Sequence, residues 1–283
     1  MKDNIRKKLK ENIIVFSDLD GTALLSSHKF SQKTKDIVKK VYKSGHYFIP
    51  ITARSTLDTF EHQALYLGLD KLGGIAVANN GTHIYDFKKN HWIRQAYVSQ
   101  TMVERVFRHT YGKVGKYKVH YFADNTTYVY GAGENSRYWS DIMNMDYKVV
   151  TEFGEITEPI NHMTIVLKKG VSEQEIKAFY QEFEFVNEEL SAIRYYDRVH
   201  ELTPKGINKG EALQLILDYL NLNEQNTSVF CFGDSVNDIP MFEAAQYPVA
   251  MGNAIDQLFE DAAYITKTND ENGVADFIEK YIL

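Results

Sequence analysis

A chain of 283 residues, 44% hydrophobic and 25% charged, is long enough to bury a sizeable core and to form two domains. Its formal net charge of −6 argues against nucleic acid as the main partner, because phosphate backbones call for a basic face. One cysteine, Cys231, excludes an internal disulfide, and nine scattered histidines show no metal-ligand spacing.

The start is basic (Lys2, Arg6, Lys7, Lys8, Lys10), but only residues 13–16 follow as an apolar run, too short for a secretory h-region. No stretch approaches membrane-spanning length, and the expected location is cytoplasmic. Ile13, Ile14, Val15 and Phe16 read as a short buried strand that ends abruptly in Ser17-Asp18-Leu19-Asp20-Gly21-Thr22. Ser31 is the expected N-cap of a helix whose apolar face is Ile37, Val38, Val41 and Tyr42, stopped by Ser44-Gly45. A second strand over 46–51 runs into Thr52-Ala53-Arg54-Ser55. Leu57, Phe60, Ala64 and Leu67 mark a second amphipathic helix with Gly68 as its C-cap. A third strand over 74–78 ends in Asn79-Asn80-Gly81. Alternating strands and helices predict a parallel sheet with right-handed crossovers. Asp18, Thr52 and Asn79/Asn80 would then share the sheet edge where α/β folds bind ligands.

From Ile84 the rhythm changes. A hairpin is expected over 84–94, helices over 103–111, 136–145 and 172–183, and strands over 117–122, 127–130, 162–167 and 193–196. This Tyr-rich stretch, 84–200, reads as a separate α+β domain inserted into the first, because the parallel rhythm resumes after Pro204. Lys205-Gly206-Ile207-Asn208-Lys209-Gly210 precedes a helix faced by Leu213, Ile216, Leu217 and Leu220. A strand over 228–232 ends in Gly233-Asp234-Ser235-Val236-Asn237-Asp238. Further strands at 247–251 and 264–266, a helix opened by Met251-Gly252-Asn253-Ala254 and a closing helix over 274–281 complete the sheet.

Asp18 and Asp20, spaced i, i+2 at a strand end, can supply oxygen ligands to Mg²⁺, a nucleophile and an acid–base group. On those residues alone an Asp-Gly turn explains the run equally well. Asp234 repeats the arrangement, and Asp238 either supports a cation or caps the turn behind Ser235. Lys209 opens a helix, where the macrodipole disfavours a cation unless an anion is bound; the alternative is a solvated lysine. Thr52 suits a phosphoryl oxygen or a plain helix N-cap. Asn80 and Asn253 suit a substrate or a turn, and Arg54 an anionic substrate or a neighbouring carboxylate. Cys231 reads as inert core.

The order of these groups in one parallel sheet resembles the haloacid dehalogenase-like hydrolase superfamily, and within it the Cof-type (subclass IIB) phosphatases. The residues that carry the resemblance are Asp18-Leu19-Asp20-Gly21-Thr22, Thr52, Lys209 and Gly233-Asp234-Ser235-Val236-Asn237-Asp238. Asn80-Gly81, Thr203-Pro204-Lys205-Gly206 and Met251-Gly252-Asn253-Ala254 add to it. One departure is Ala53, where relatives often carry Gly. The resemblance implies an α/β protein: a Rossmann-like three-layer catalytic core (1–83 and 201–283) with an inserted α+β cap (84–200) that sets specificity. It further implies that Asp18 attacks phosphorus to give an aspartyl phosphate while Asp20 serves as acid and then base. Asp18, Asp20 through its carbonyl, Asp234 and Asp238 would hold Mg²⁺, and Thr52 and Lys209 would bind phosphate. Arg54, Asn80, Asn237 and Asn253 are candidate substrate contacts, with Arg137, His162, Tyr195 and Asp197 in the cap. The expected ligand is a small phosphorylated metabolite such as a sugar, nucleotide or cofactor phosphate, and the expected state a monomer or weak homodimer. A transport ATPase is excluded for want of membrane spans and because Asp20 is present. A phosphosugar mutase or an idle phosphometabolite sensor on the same core remains open.

Overall fold

The computed structural model describes residues 5–134, 136, 146–195, 198–223 and 225–283. Arg137, Asp197, the side chain of Tyr195 and all but Ser136 of the helix expected over 136–145 lie outside the described residues. In chain order the first strands are β1 (Asn12–Ser17), β2 (Tyr47–Pro50), β3 (Ile75–Ala78), β4 (His83–Asp86) and β5 (His91–Gln95). Next come β6 (Tyr117–Phe122), β7 (Thr127–Tyr130), β8 (Tyr147–Val149), β9 (His162–Leu167), β10 (Leu190–Tyr195) and β11 (Val199–Pro204). The last are β12 (Thr227–Gly233), β13 (Tyr247–Ala250) and β14 (Tyr264–Ile265).

The chain divides into two compact units: Met1–Ala53, Thr59–Arg94 and Asn208–Leu283 form the first, and Arg54–Asp58 with Gln95–Ile207 the second. The first is built on a parallel sheet in the order β14-β13-β12-β1-β2. Both faces are buried, as an all-parallel sheet requires. Ile13 and Val15 point to one side, with Phe48, Phe230, Phe232 and the helix Gln32–Lys43. Ile14 and Phe16 point to the other, with Ile49, Cys231 and the helix Lys209–Tyr219. The period of two along β1 places each alternate residue in a different core. Burial raises the pKa of the Cys231 thiol, as suits a packed core residue.

Ser31 caps the helix Gln32–Lys43, its Oγ accepting from the Thr34 amide at 3.0 Å. The expected helix around Leu57–Leu67 forms but is less regular: Asp58–Gln63 is π-helical and runs directly into a short α-helix, Ala64–Leu67, which Gly68 ends in the left-handed conformation. The third strand also differs from expectation. β3 meets the main sheet only at a parallel bridge, Ile51 to Val77, and its regular partner is the antiparallel β4. The hairpin β4–β5 thus extends a three-stranded sheet with β3, and Ile84 packs among the first unit's apolar residues.

The two units accordingly divide later than the boundaries 83/84 and 200/201. Residues 84–94 stay with the first unit through β3. Residues 201–207 go with the second, because β11 pairs with both β10 and β9. Arg54–Asp58 joins the second unit as well, with Thr56 donating to Asp124 Oδ1 at 3.2 Å.

The second unit is a mixed sheet in the order β10-β11-β9-β6-β7-β8. One face packs Val119, Tyr121, Met163 and Ile165 against the helices Gln100–Thr110 and Glu173–Glu182. The alternate residues on β6, β9 and β11 give the other face a polar character, with His120, His162, Thr164, Glu201 and Thr203 all buried. His162 stacks on Phe122, ring centroids 4.2 Å apart. Among the described residues no helix is long and apolar enough to cross a membrane.

Phe16, wholly buried in the central strand of the first sheet, tests this packing. Phe16→Ala is expected to lower the unfolding free energy by about 3–5 kcal/mol, read as a fall in the urea midpoint with an unchanged slope.

Candidate active site

The chain runs from β1 to β2 on one side and returns through β12 and β13 on the other. The carboxyl ends of β1 and β12 therefore flank a topological switch point, where an open α/β sheet leaves a crevice. Ser17 lies opposite Phe232, so Asp18 leaves β1 beside Gly233 and Asp234 leaving β12. The Asp18 amide still donates to the Phe232 carbonyl at 3.0 Å, which anchors the residue at the last rung of the ladder.

Lys209, the first residue of the helix Lys209–Tyr219, reaches into this crevice. Its Nζ donates to Asp18 Oδ1 at 2.5 Å and to Asp238 Oδ1 at 2.7 Å, and its side chain has no exposed surface. Asp238 Oδ2 accepts the backbone amides of Asp234 at 2.9 Å and Ser235 at 3.0 Å. Asp238 therefore closes its own turn and holds Lys209 at once. Thr22 Oγ1 donates to Asp234 Oδ1 at 2.8 Å, tying the two strand ends together.

Glycine is required at two of these positions. A Cβ on Gly21, whose φ is +73°, would lie 2.3 Å from Asp234 Oδ2. A Cβ on Gly233 would lie 2.5 Å from Asp238 Cγ. The carboxylates can crowd together only because the chain beside them carries no side chain.

Around this centre the remaining candidates divide. The Thr52 amide donates to Val77 O at 3.1 Å, and its carbonyl accepts from the Asn80 amide at 2.8 Å, so Thr52 is fixed at the strand edge and opens no regular helix. Asn80, left-handed at φ +53°, accepts from Asn237 Nδ2 at 3.1 Å. Asn253 Nδ2 donates to Gly21 O at 2.8 Å, and its Oδ1 accepts from the Asn269 amide at 3.0 Å. These asparagines brace one loop against another. Arg54 belongs to the second unit, where it is buried and donates to Asp58 Oδ2 at 2.7 Å. Asp20 does not join the other carboxylates; its Oδ1 lies 3.0 Å from His28 Nδ1.

Sequence reasoning did not single out His28, the cap Asn208 or Asp124. Asn208 Oδ1 accepts the Glu211 amide at 2.9 Å and so sets where the Lys209 helix begins; an Asn directly before that helix was the available signal. Asp124 accepts from Tyr97 at 2.7 Å and from Asn161 at 3.2 Å, partners distant in sequence that no local pattern announces.

Three carboxylates, Asp18, Asp234 and Asp238, present oxygens within 4.8 Å of one another. Lys209 is the one ammonium bonded to them among the described residues. Burial pushes the Asp18 carboxyl well up, against the pull of Lys209. Burial, together with the Asp238 charge, raises Asp234 to about 7. Burial also opposes the charge on Lys209, but Asp18 and Asp238 outweigh it and hold the ammonium above its ordinary value. An all-oxygen cluster with surplus negative charge fits a hard divalent cation, which would favour the ionised carboxylates.

A family model described as haloacid dehalogenase-like hydrolase matches residues 15–278. A 5-amino-6-(5-phospho-D-ribitylamino)uracil phosphatase of Bacillus subtilis, YcsE, is 29% identical and aligns over 95% of this chain and 96% of its own. A second phosphatase of that description from B. subtilis, YwtE, is 26% identical over 94% of this chain and 96% of its own. A haloacid dehalogenase-like hydrolase from Bacteroides thetaiotaomicron superposes with a TM-score of 0.82 at 23% identity, covering 95% of this chain and 98% of that one, a likeness of fold.

The raised Asp234 pKa gives a pH signature. Between the ordinary carboxylate range and about 7, the folded chain retains a proton that the unfolded chain has lost. In EDTA, this site should therefore make stability fall as the pH rises through that window. A divalent cation should raise the melting temperature more at pH 8 than at pH 5, since binding displaces the proton. Asp234→Asn should flatten both trends in thermal denaturation.

Proposed function

This chain belongs to the haloacid dehalogenase-like hydrolase family and is a phosphatase, and from that premise we propose that it hydrolyses small phosphate esters with Mg²⁺ through a phosphorylated Asp18. The observation that carries the reading is Lys209, buried between Asp18 and Asp238 at the switch point of the sheet. An ammonium has three donors and two are engaged by carboxylates, which leaves the third for a phosphoryl oxygen.

In this reading Asp18 attacks phosphorus, and the ester P–O bond breaks as an Asp18–phosphorus bond forms. Asp20 protonates the departing oxygen, then takes a proton from the water that hydrolyses the intermediate and releases phosphate. Lys209 and Thr52 stabilise charge on the equatorial oxygens. Asp18, Asp234 and the Asp20 carbonyl would hold the metal, with Asp238 fixing the loop behind them, and the ion would supply further charge neutralisation. Lys209 also pulls the Asp18 pKa down, offsetting part of the rise that burial causes, and a bound cation would add to that pull.

The second unit would choose the substrate. Its polar sheet face supports this: among the described residues, His120 Nδ1 and the Thr127 and Thr203 hydroxyl oxygens are buried there without hydrogen-bond partners. Such groups suit a hydroxylated ester. The ribitylamino-uracil phosphate named for the B. subtilis relatives therefore joins hexose phosphates, flavin mononucleotide and pyridoxal phosphate as a candidate substrate.

Phosphate release from such a panel, with Mg²⁺ and with EDTA, tests the reading. Turnover should require the metal, and Asp18→Asn should lower kcat by about 10³-fold or more. Asp20→Asn should lose about 10²–10⁴-fold. Transfer of phosphate within a sugar bisphosphate, without release, would turn the reading to a mutase.

A further inference from the structure

We propose that Arg94 is a positioning residue that sets Lys209 in its working place relative to Thr52, an inference that rests on the phosphate-binding roles given to those two residues above. Arg94 lies on β5 and forks onto Glu211, Nη1 donating to Oε2 and Nη2 to Oε1, both at 2.5 Å. Its Nη1 also donates to the Gly81 carbonyl at 3.3 Å. One largely buried guanidinium therefore joins the first turn of the helix Lys209–Tyr219 to the loop after β3. All three residues belong to the first unit.

Each end of this bridge leads to a phosphate contact. On one side, Glu211 follows Lys209 in the first turn of its helix, and its amide is already held by Asn208 Oδ1 at 2.9 Å. Holding one residue by both its amide and its carboxylate fixes the helix start in direction as well as in place. Lys209 hangs from that turn, so the aim of its third donor follows from where the turn stands. On the other side, Asn79 and Asn80 are left-handed, at φ +48° and +53°. Such a backbone persists where its neighbours over-determine it. Arg94 on the Gly81 carbonyl and Asn237 on the Asn80 side chain contribute to that. The Asn80 amide then donates to Thr52 O at 2.8 Å, so a shift of the loop is a shift of Thr52.

Arginine suits this task. Its planar fork fixes angle as well as distance to a carboxylate, whereas a lysine ammonium offers a point charge. The place in the chain adds to the need. The chain passes to the second unit directly after Arg94 and returns directly before Asn208. The fork fastens the first unit to itself between those two crossings, so a pull along either is resisted beside Lys209. Phosphoryl transfer asks Lys209 and Thr52 to meet the same phosphoryl group in one geometry, and a 1 Å misplacement can cost about 10²-fold.

The test compares Arg94→Lys, Glu211→Gln and the double variant in the full chain. Arg94→Lys keeps the charge and loses the fork; Glu211→Gln keeps the side-chain size and loses one acceptor. Each is assayed on p-nitrophenyl phosphate with Mg²⁺, and for inhibition by orthovanadate, which mimics the five-coordinate phosphoryl group. Rates are expressed per folded chain, taken from circular dichroism at the assay temperature. Arg94→Lys is expected to lower kcat by about 10–100-fold with KM within about threefold, and to weaken orthovanadate by a similar factor. The Mg²⁺ concentration for half-activation should stay within about twofold, because the carboxylates are untouched. Glu211→Gln should move in the same direction, and it carries the test alone should Arg94→Lys not fold. The double variant should be no slower than the slower single one, since both changes open one bridge. Losses that vanish per folded chain, a loss confined to KM, or losses that multiply in the double variant would each overturn the inference. So would wild-type turnover with an Arg94→Lys enzyme equally fast, which leaves the phosphatase reading standing. A wild-type chain inactive on every ester would sink that reading and this inference with it.

Discussion

A buried ammonium must be paired, and the pairing of Lys209 governs the geometry around it. With no exposed side-chain surface, it meets Asp18 at 2.5 Å and Asp238 at 2.7 Å. Removing the ammonium would leave buried carboxylates crowded together without their cation, which is costly. Asp238 is in turn held by the Asp234 and Ser235 amides, so the Lys209 helix, the end of β12 and the end of β1 are joined through one cation. Asn208, capping that helix, settles where the cation enters. The same interaction that locks the loops holds the Asp18 carboxyl in place and opposes the burial that raises its pKa.

Close approach of backbones makes that cluster attainable. Gly21 and Gly233 stand where any Cβ would strike Asp234 or Asp238. Thr22 then adds its bond to Asp234, and Asn253 its bond to the Gly21 carbonyl, so the turn after β1 is held from two sides. The cluster thus combines a rigid frame with an excess of negative charge. Rigidity allows electrostatic preorganisation, because the groups need not rearrange as charge develops on the phosphoryl group.

The second unit follows a different logic. Its helices cover one face of a mixed sheet with an aromatic and aliphatic core, and the alternate residues leave the other face polar. In the proposed reading such a face would supply selectivity, because hydrogen-bonding groups reject ligands that leave them unpaired. Chemistry and choice of ester would, in that reading, be carried by different parts of the chain.

Much of this was legible in the residues. Apolar runs ending in Asp18, Thr52, Asn79 and Asp234 announced strands whose ends meet, because parallel strands joined by crossovers must present their carboxyl ends on one edge. Ser31 and Gly68 marked helix ends by local hydrogen bonding and backbone freedom, which act over a few residues and can be read from them. Long-range pairing could not be read in the same way. The hairpin 84–94 looked like the start of the inserted domain, yet β4 pairs with β3; residues 201–204 looked like part of the core, yet they lie in β11, which completes the second unit's sheet. Strand partners depend on which distant surface buries them, and local patterns do not encode that. The sequence by itself determined the chemical groups, their order and the parallel frame, since these follow from residue type and periodicity. Only the tertiary structure decided that Lys209 would be buried between two carboxylates, that Asp238 would hold a loop and a cation together, and that His28 would meet Asp20, because each depends on distances between segments far apart in the chain.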